Sequence, residues 1–336
     1  MPQKNLLADK LKSFSKDIIL CGLAFAMFLS PMGAQSDEGT YNPDKLIMIG
    51  TASRSGSFYP IGQTLCDLIN KDRAEKLIRC VSYPTAGSDY NTQAVLFGQL
   101  TLGMTRSDIA TQEFNNGKDK DNTKGANLRA IMSLYDMPVL VIAKRSLGIT
   151  DLSQIPGHTL NIGNGGSGQR AIVEMILKSL KFDKSQFTNT TELNTSQMGD
   201  AFCDGKVDII VEALGNPSPF YKRMIEKCDG QMIGATPETI KTMLAKNPSL
   251  EALKIKGGIY AGEPNEVLTF GYKAVIVASK QTSDAAVKSI IKSIFDRLDD
   301  LKKSDVVLAN LEPKKMFTEG IKIPLHAGID TKNYYK

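Results

Sequence analysis

Tryptophan is absent from the 336 residues, and histidine occurs only as His158 and His326. His158 falls in the turn-like "PGHTL" and His326 in "PLHAG", neither of which is a nucleophile or metal motif. No G-x-S-x-G is present, and paired carboxylates such as Asp299 and Asp300 read as the exposed face of a helix. Catalysis would lack a positioned acid, base or nucleophile. Metal binding would lack histidine partners or a tight cysteine cluster. The expectation is therefore a protein that is not an enzyme, with no catalytic residue, no metal and no cofactor. Lysine and arginine outnumber aspartate and glutamate by 41 to 36, yet they form no run or stripe. Nucleic acid is not an expected partner.

Near the start, "IILCGLAFAMFL" (Ile18 to Leu29) is an apolar run of 12 residues, short of the roughly 20 that span a bilayer. It follows Lys4, Lys10, Lys12 and Lys16 and precedes "SPMGA". A basic region, a short apolar region and a small residue at Ala34 make residues 1–34 a signal peptide, cut near Ala34, with a short membrane anchor as the alternative. The protein is then expected to be periplasmic.

Five cysteines are present, and Cys21 lies in that leader, leaving Cys66, Cys80, Cys203 and Cys228. An even number in an exported chain implies disulfides, and four cysteines allow three connectivities. Proximity favours Cys66–Cys80 and Cys203–Cys228.

After the leader, strand-like and helix-like stretches alternate, the pattern of an α/β fold with parallel sheet. "KLIMIGT", "IRCVSYP" and "LTLGMTR" read as strands, each followed by a helix. "LRAIMSLY" and "VLVIAK" read as two strands parted by Asp136, Met137 and Pro138. A second series starts at "TLNIGN" (159–164) and runs through "VDIIVEAL" (207–214). "LTFGYKAVIVAS" (268–279) is a long strand, and one long helix is expected over about 283–303. The polar stretch at 115–127 is a solvated loop whose glycine comes one place too late for a calcium site.

Three loops share one design, in which a strand runs into hydroxyls and glycine and then a helix start: "GTASRSGSFYP", "YPTAGSDYN" and "NIGNGGSGQR". Unpaired N–H groups at a helix start attract carboxylate or phosphate, and glycine lets the ligand come close. Taken singly, such a loop is more often structural; three of them at matching points of two α/β halves suggest one shared ligand. "GNGGSG" (163–168) also fits G-x-G-x-x-G, with Asp183 about 20 residues on. The export signal and the lack of a second nucleotide-binding half argue against a dinucleotide. Arg54, Arg106 and Arg170 each follow a strand end or loop, and an arginine fork matches a carboxylate. Arg106, at a strand terminus in "GMTRSD", is the best placed of them. Asp108 is either a helix N-terminal charge or a ligand contact. Glu212 could meet a ligand amine or a nearby arginine.

Taken together with "LRAIMSLY", "FCDGKVD", "GNPS", "GGIYAGEP" and the terminal "PLHAG", these stretches resemble the TAXI-type solute receptors of tripartite ATP-independent periplasmic (TRAP) transporters, from about Ile47 to Tyr335. Both cysteine pairs fall where such receptors carry cysteines. The resemblance implies a type II periplasmic-binding-protein fold, with two α/β domains joined by crossing hinge strands and the ligand in the cleft. Residues 44–142 with 270–336 would form domain I and 143–269 domain II, crossing near 139–144 and 269–279. The receptor, expected to be a monomer, would capture a small organic acid (a dicarboxylate, keto acid or acidic amino acid) for a TRAP membrane permease. A sensing or surface module without transport, or an exported enzyme, are the alternatives. By position, the site would draw Thr51, Ser53, Arg54, Gly56 and Tyr59 from the first loop and Thr85, Gly87 and Ser88 from the second. Arg106, Ser107 and Asp108 follow from the third strand end. Asn164, Gly166, Ser167, Gly168 and Gln169 would face them, with Glu212 and Asn216 near the rim. Arg54 and Arg106 depart from the small residue and the glutamine common at those places, and both add positive charge.

Overall fold

The computed structural model describes residues 45–54, 56–117, 124–165 and 167–335. The expected signal peptide lies outside the described residues, as do Gly166 and part of the polar 115–127 loop. Among the described residues no helix is long and apolar enough to cross a membrane.

Alternation in the sequence becomes alternation in space. Strand β1 (Leu46–Gly50) leads into α1 (Phe58–Asn70), the short α2 (Arg73–Lys76) and β2 (Arg79–Tyr83). Then come α3 (Ser88–Leu96), β3 (Leu102–Arg106) and α4 (Ser107–Asn116). β1 lies between β2 and β3, parallel to both, as helical crossovers require. Strand β4 (Leu128–Lys144) leaves this half for a second one built from β5 (Thr159–Asn161), α5 (Gly168–Leu180), β6 (Asn189–Thr191), α6 (Thr195–Cys203) and β7 (Ile209–Ala213). There β5 runs parallel to both β6 and β7. Next follow α7 (Pro219–Lys227), β8 (Gly230–Ile233), α8 (Pro237–Lys246), β9 (Glu251–Ile255) and β10 (Val267–Ser279). Helices α9 (Asp284–Phe295), α10 (Leu298–Ser304) and α11 (Pro313–Met316) end the chain. The architecture is the mixed α/β fold expected from the sequence.

Two long strands run through both halves. β4 pairs antiparallel with β10 over Leu128 to Pro138, then with β7 and β8 from Val139 onward. β10 pairs first with β9 over Val267 to Gly271, then with β4 and β3. The expected break at Asp136–Pro138 is instead the place where one continuous strand changes partners. A proline lacking its N–H is tolerated there because the ladder itself is interrupted. The long C-terminal helix is divided at Asp296 and Arg297, where Arg297 turns its guanidinium onto the buried Asp72 beside α1.

Cys66–Cys80 ties α1 to β2, and Cys203–Cys228 ties the end of α6 to the end of α7, so the pairing that proximity favours is present. His326, in the C-terminal segment, is buried, and its Nδ1 accepts from the Gly328 N–H at 3.1 Å. His158 sits in the turn before β5, where its carbonyl accepts from the Thr188 N–H.

Candidate functional site

Between the halves lies a cavity of about 170 Å3. Its wall is made of helix beginnings: Ser57 and Phe58 at α1, Gly87 and Ser88 at α3, and Ser167, Gly168 and Gln169 at α5. Neither Ser57 nor Gly87 caps its helix through a side chain. Gly87 has φ +102°, which any side chain would strain. At α5 the Ser167 hydroxyl caps the Arg170 N–H, so α1 and α3 are the starts without a side-chain cap, and all three helices direct partial positive charge at one small volume.

A hydrogen-bonded frame sets the first two loops. The Thr51 hydroxyl donates to the Tyr83 carbonyl at 2.6 Å, and the Thr51 carbonyl accepts from the Thr85 hydroxyl and the Asn91 amide. Asn91, fully buried, also donates to the Met104 carbonyl and accepts from the Thr85 hydroxyl. Ser88 accepts from the Arg106 N–H at 3.1 Å, joining the third strand end to the second loop. Thr51 and Thr85 therefore shape the loops from behind and are not on the cavity wall, whereas Ser53, Gly56, Gly87 and Ser88 are.

Arg106 reaches across the cleft. Its Nε and one terminal nitrogen donate to both oxygens of Asp108, at 2.9 and 2.7 Å. The other terminal nitrogen donates to the Gly168 carbonyl at 3.1 Å, and the guanidinium stacks 4.4 Å from the Tyr272 ring centre. Burial works against the charge, but the Asp108 carboxylate outweighs it and holds the guanidinium above its ordinary pKa. Arg106 is 5% exposed and still forms part of the cavity wall. Ser107 is turned away, and its hydroxyl accepts from the Lys273 N–H.

On the opposite wall stands Glu212, at 9% exposure. It accepts from the Thr195 hydroxyl at 3.0 Å and from the Ala213 N–H at 3.2 Å. Burial raises its pKa, offset in part by those two bonds and by the charge of Arg106. Gln169, part of the wall, is held in place by donating to the Val211 carbonyl at 2.8 Å.

Other expected residues fall elsewhere. Arg54 lies over the Tyr59 ring at 4.9 Å, and neither is on the cavity wall. Asn164 is exposed, its carbonyl accepting from Ser167. Asn216 accepts from the Tyr260 hydroxyl at 2.5 Å and lines a separate cavity of about 520 Å3 behind the crossing strands. Arg170 is committed to Glu174 and Glu192. Asp183 caps a short turn through the Ser185 N–H, a structural task. Thr195, Met137, Ile172 and Leu214 line the site without having been singled out. For Thr195 a signal existed, since "TELNTSQ" repeats the strand, hydroxyl and helix-start design once more.

The NMT1-like family model matches residues 49–336. Among solved structures, the aliphatic sulphonate binding protein SsuA of Escherichia coli is similar at 14% identity, covering 83% of this chain and 80% of that one, with a TM-score of 0.46. SsuA of Xanthomonas axonopodis pv. citri, bound to MOPS, is similar at 12% identity, covering 80% and 81%, with a TM-score of 0.44. A putative L-cystine ABC transporter protein of Listeria monocytogenes is similar at 11% identity, covering 79% and 97%, with a TM-score of 0.47.

Proposed function

The chain belongs to the NMT1-like family, and from there we propose that it is an exported solute-binding receptor that captures a small organic anion in the cleft and delivers it to a TRAP permease. The convergence of α1, α3 and α5 on one small cavity carries this reading. Three N-terminal dipoles favour a negatively charged guest over a neutral one. The site's hydroxyls, Ser53, Ser57 and Ser88, add donors that fix its orientation. A volume of about 170 Å3 suits a solute of a few carbons. The TAXI-type motifs support the TRAP partner, and the leader-like first 34 residues support export to the periplasm.

On this reading the two halves are the domains, and they hinge where β4 and β10 change partners, at Pro138–Val139 and Gly271. Closure exchanges water around the anion for backbone donors, and the closed form is the one a permease recognises.

Ligand capture is read by dye-reported thermal unfolding against a panel of organic acids, amino acids and neutral sugars, since the chain offers no tryptophan signal. A true ligand at a hundred times its Kd adds about 2.7 kcal/mol of stability. A rise in Tm with one class of acid and none with sugars is the expected result. Silence across all the acids, after refolding to strip any carried ligand, would sink the anion reading.

A further inference from the structure

Glu212 brings a carboxylate to the wall of a cavity that three helix N-termini make attractive to anions. The cation whose charge reaches it, Arg106, already has both oxygens of Asp108 in its fork. A ligand carboxylate entering this volume would therefore face Glu212 with no spare cation between them among the described residues of the wall. Two like charges held at short range in a water-poor cleft cannot both remain ionised. We propose that the receptor takes up its anion with Glu212 protonated, one proton from solvent being captured with each ligand, so that Glu212 sets the charge the site accepts. This inference rests on the receptor reading above.

The geometry suits a protonated carboxyl. One oxygen of Glu212 keeps the Ala213 N–H, and the other faces the Thr195 hydroxyl, which can donate or accept. A neutral Glu212 thereby gains an O–H donor that an anion can use, whereas an ionised one offers only acceptors. Among the described residues, the charged and titratable groups facing it are Arg106 from β3 and Tyr221 from α7. Tyr221 donates its hydroxyl to the Glu212 carbonyl at 2.8 Å, and burial keeps that hydroxyl proton-bearing. α6 contributes the neutral Thr195, and β4 places the apolar Leu140 opposite Glu212 in register. Burial, the largest influence on the side chain, favours the same neutral form.

The sign of the linkage can be read without any ligand. A carboxyl with a raised folded pKa gives stability that is full below its unfolded value of about 4.3 and is lost as pH rises through the folded one. Glu212→Gln mimics the protonated form and does not titrate. Ligand-free wild type and variant are compared by thermal unfolding between pH 4.5 and 8, and the variant's advantage in Tm should open as pH rises. Succinate, 2-oxoglutarate and glutamate are then titrated into both proteins. Wild-type affinity for an acid that binds should fall by up to about tenfold per pH unit above the Glu212 titration, while the variant holds its affinity. Calorimetry of the wild type in phosphate and in Tris gives a check that needs no variant: the binding heats should differ by one proton's worth of buffer ionisation.

A Tm difference that stays flat with pH overturns the proposal, whatever binds. An acid that binds with neither pH slope nor buffer dependence also overturns it and leaves the receptor reading standing. A difference that opens with pH while none of the three acids binds removes the anion reading, and with it the coupling to anion capture. It would still mark Glu212 as a titrating wall of the cavity.

Discussion

Asn91→Ala is expected to cost about 3 kcal/mol of folding stability, because it breaks buried hydrogen bonds to three partners and leaves the Met104 carbonyl without its side-chain donor, while the Thr51 carbonyl keeps the Thr85 hydroxyl. Asn91 is fully buried on α3, and its amide nitrogen donates to the carbonyls of Thr51 at 2.6 Å and Met104 at 2.7 Å. Its oxygen accepts from the Thr85 hydroxyl at 2.7 Å. One side chain thus ties together the end of β1, the second loop and β3, three of the pieces that meet behind the cavity. The backbone has made room for it. A Cβ on Gly50 would stand 2.5 Å from the Asn91 oxygen, and one on Gly103 would stand 3.1 Å from the Asn91 Cβ. Thr85→Val removes one hydroxyl, whose single proton is shared by the Thr51 carbonyl and the Asn91 oxygen and which accepts from the Gly87 N–H, and should cost about 1–2 kcal/mol. Urea unfolding measures both. The expected result is a lower midpoint with an unchanged slope for each, the shift being larger for Asn91→Ala. A loss below about 1 kcal/mol for Asn91→Ala would mean that water satisfies the Met104 carbonyl and the frame does not depend on this residue.

Much of this was legible beforehand, for identifiable reasons. The strand-to-helix alternation is written in apolar periodicity, and the three helix starts are marked by hydroxyls and glycine, so the cavity's walls could be read locally. The continuity of β4 could not, because Pro138 is an ordinary strand breaker and only the change of partner at that point makes it acceptable. The short β8 and β9 carry little periodicity, "GQMI" and "EALKI", and exist because β4 and β10 offer them an edge. Arg106 shows the same limit at the site. Its place at a strand end is visible in "GMTRSD", but that Asp108, two residues on, closes both arms of its fork depends on side-chain geometry. Reading it as a bare positive charge aimed at a ligand was therefore incomplete. Asn216 gives the converse case, a polar residue beside the crossing strands that is turned to Tyr260 and a different cavity.

That geometry changes what replacing Arg106 should do. Arg106→Ala removes a bidentate pair with Asp108, the stacking on Tyr272 and the bond across the cleft to the Gly168 carbonyl. Breaking one side of a buried pair costs about 3–5 kcal/mol, mostly because the surviving charge is left without a partner. The Asp108 side chain is 15% exposed, so part of that penalty is relieved by solvent and a loss of about 3 kcal/mol is expected. The double variant Arg106→Ala with Asp108→Ala should recover a large share of it, since no orphaned carboxylate remains. The size of the recovery is the coupling between the two residues. Binding should behave differently. If the guanidinium serves the ligand, affinity for an acid stays low in the double variant even though stability has returned. If its task is only to neutralise Asp108, the double variant binds nearly as well as wild type. Stability and affinity recovering together would make Arg106 a positioning residue whose task is to neutralise Asp108. Stability recovering alone would mean that the guanidinium itself serves capture, as a contact of the anion or through its bond to the Gly168 carbonyl.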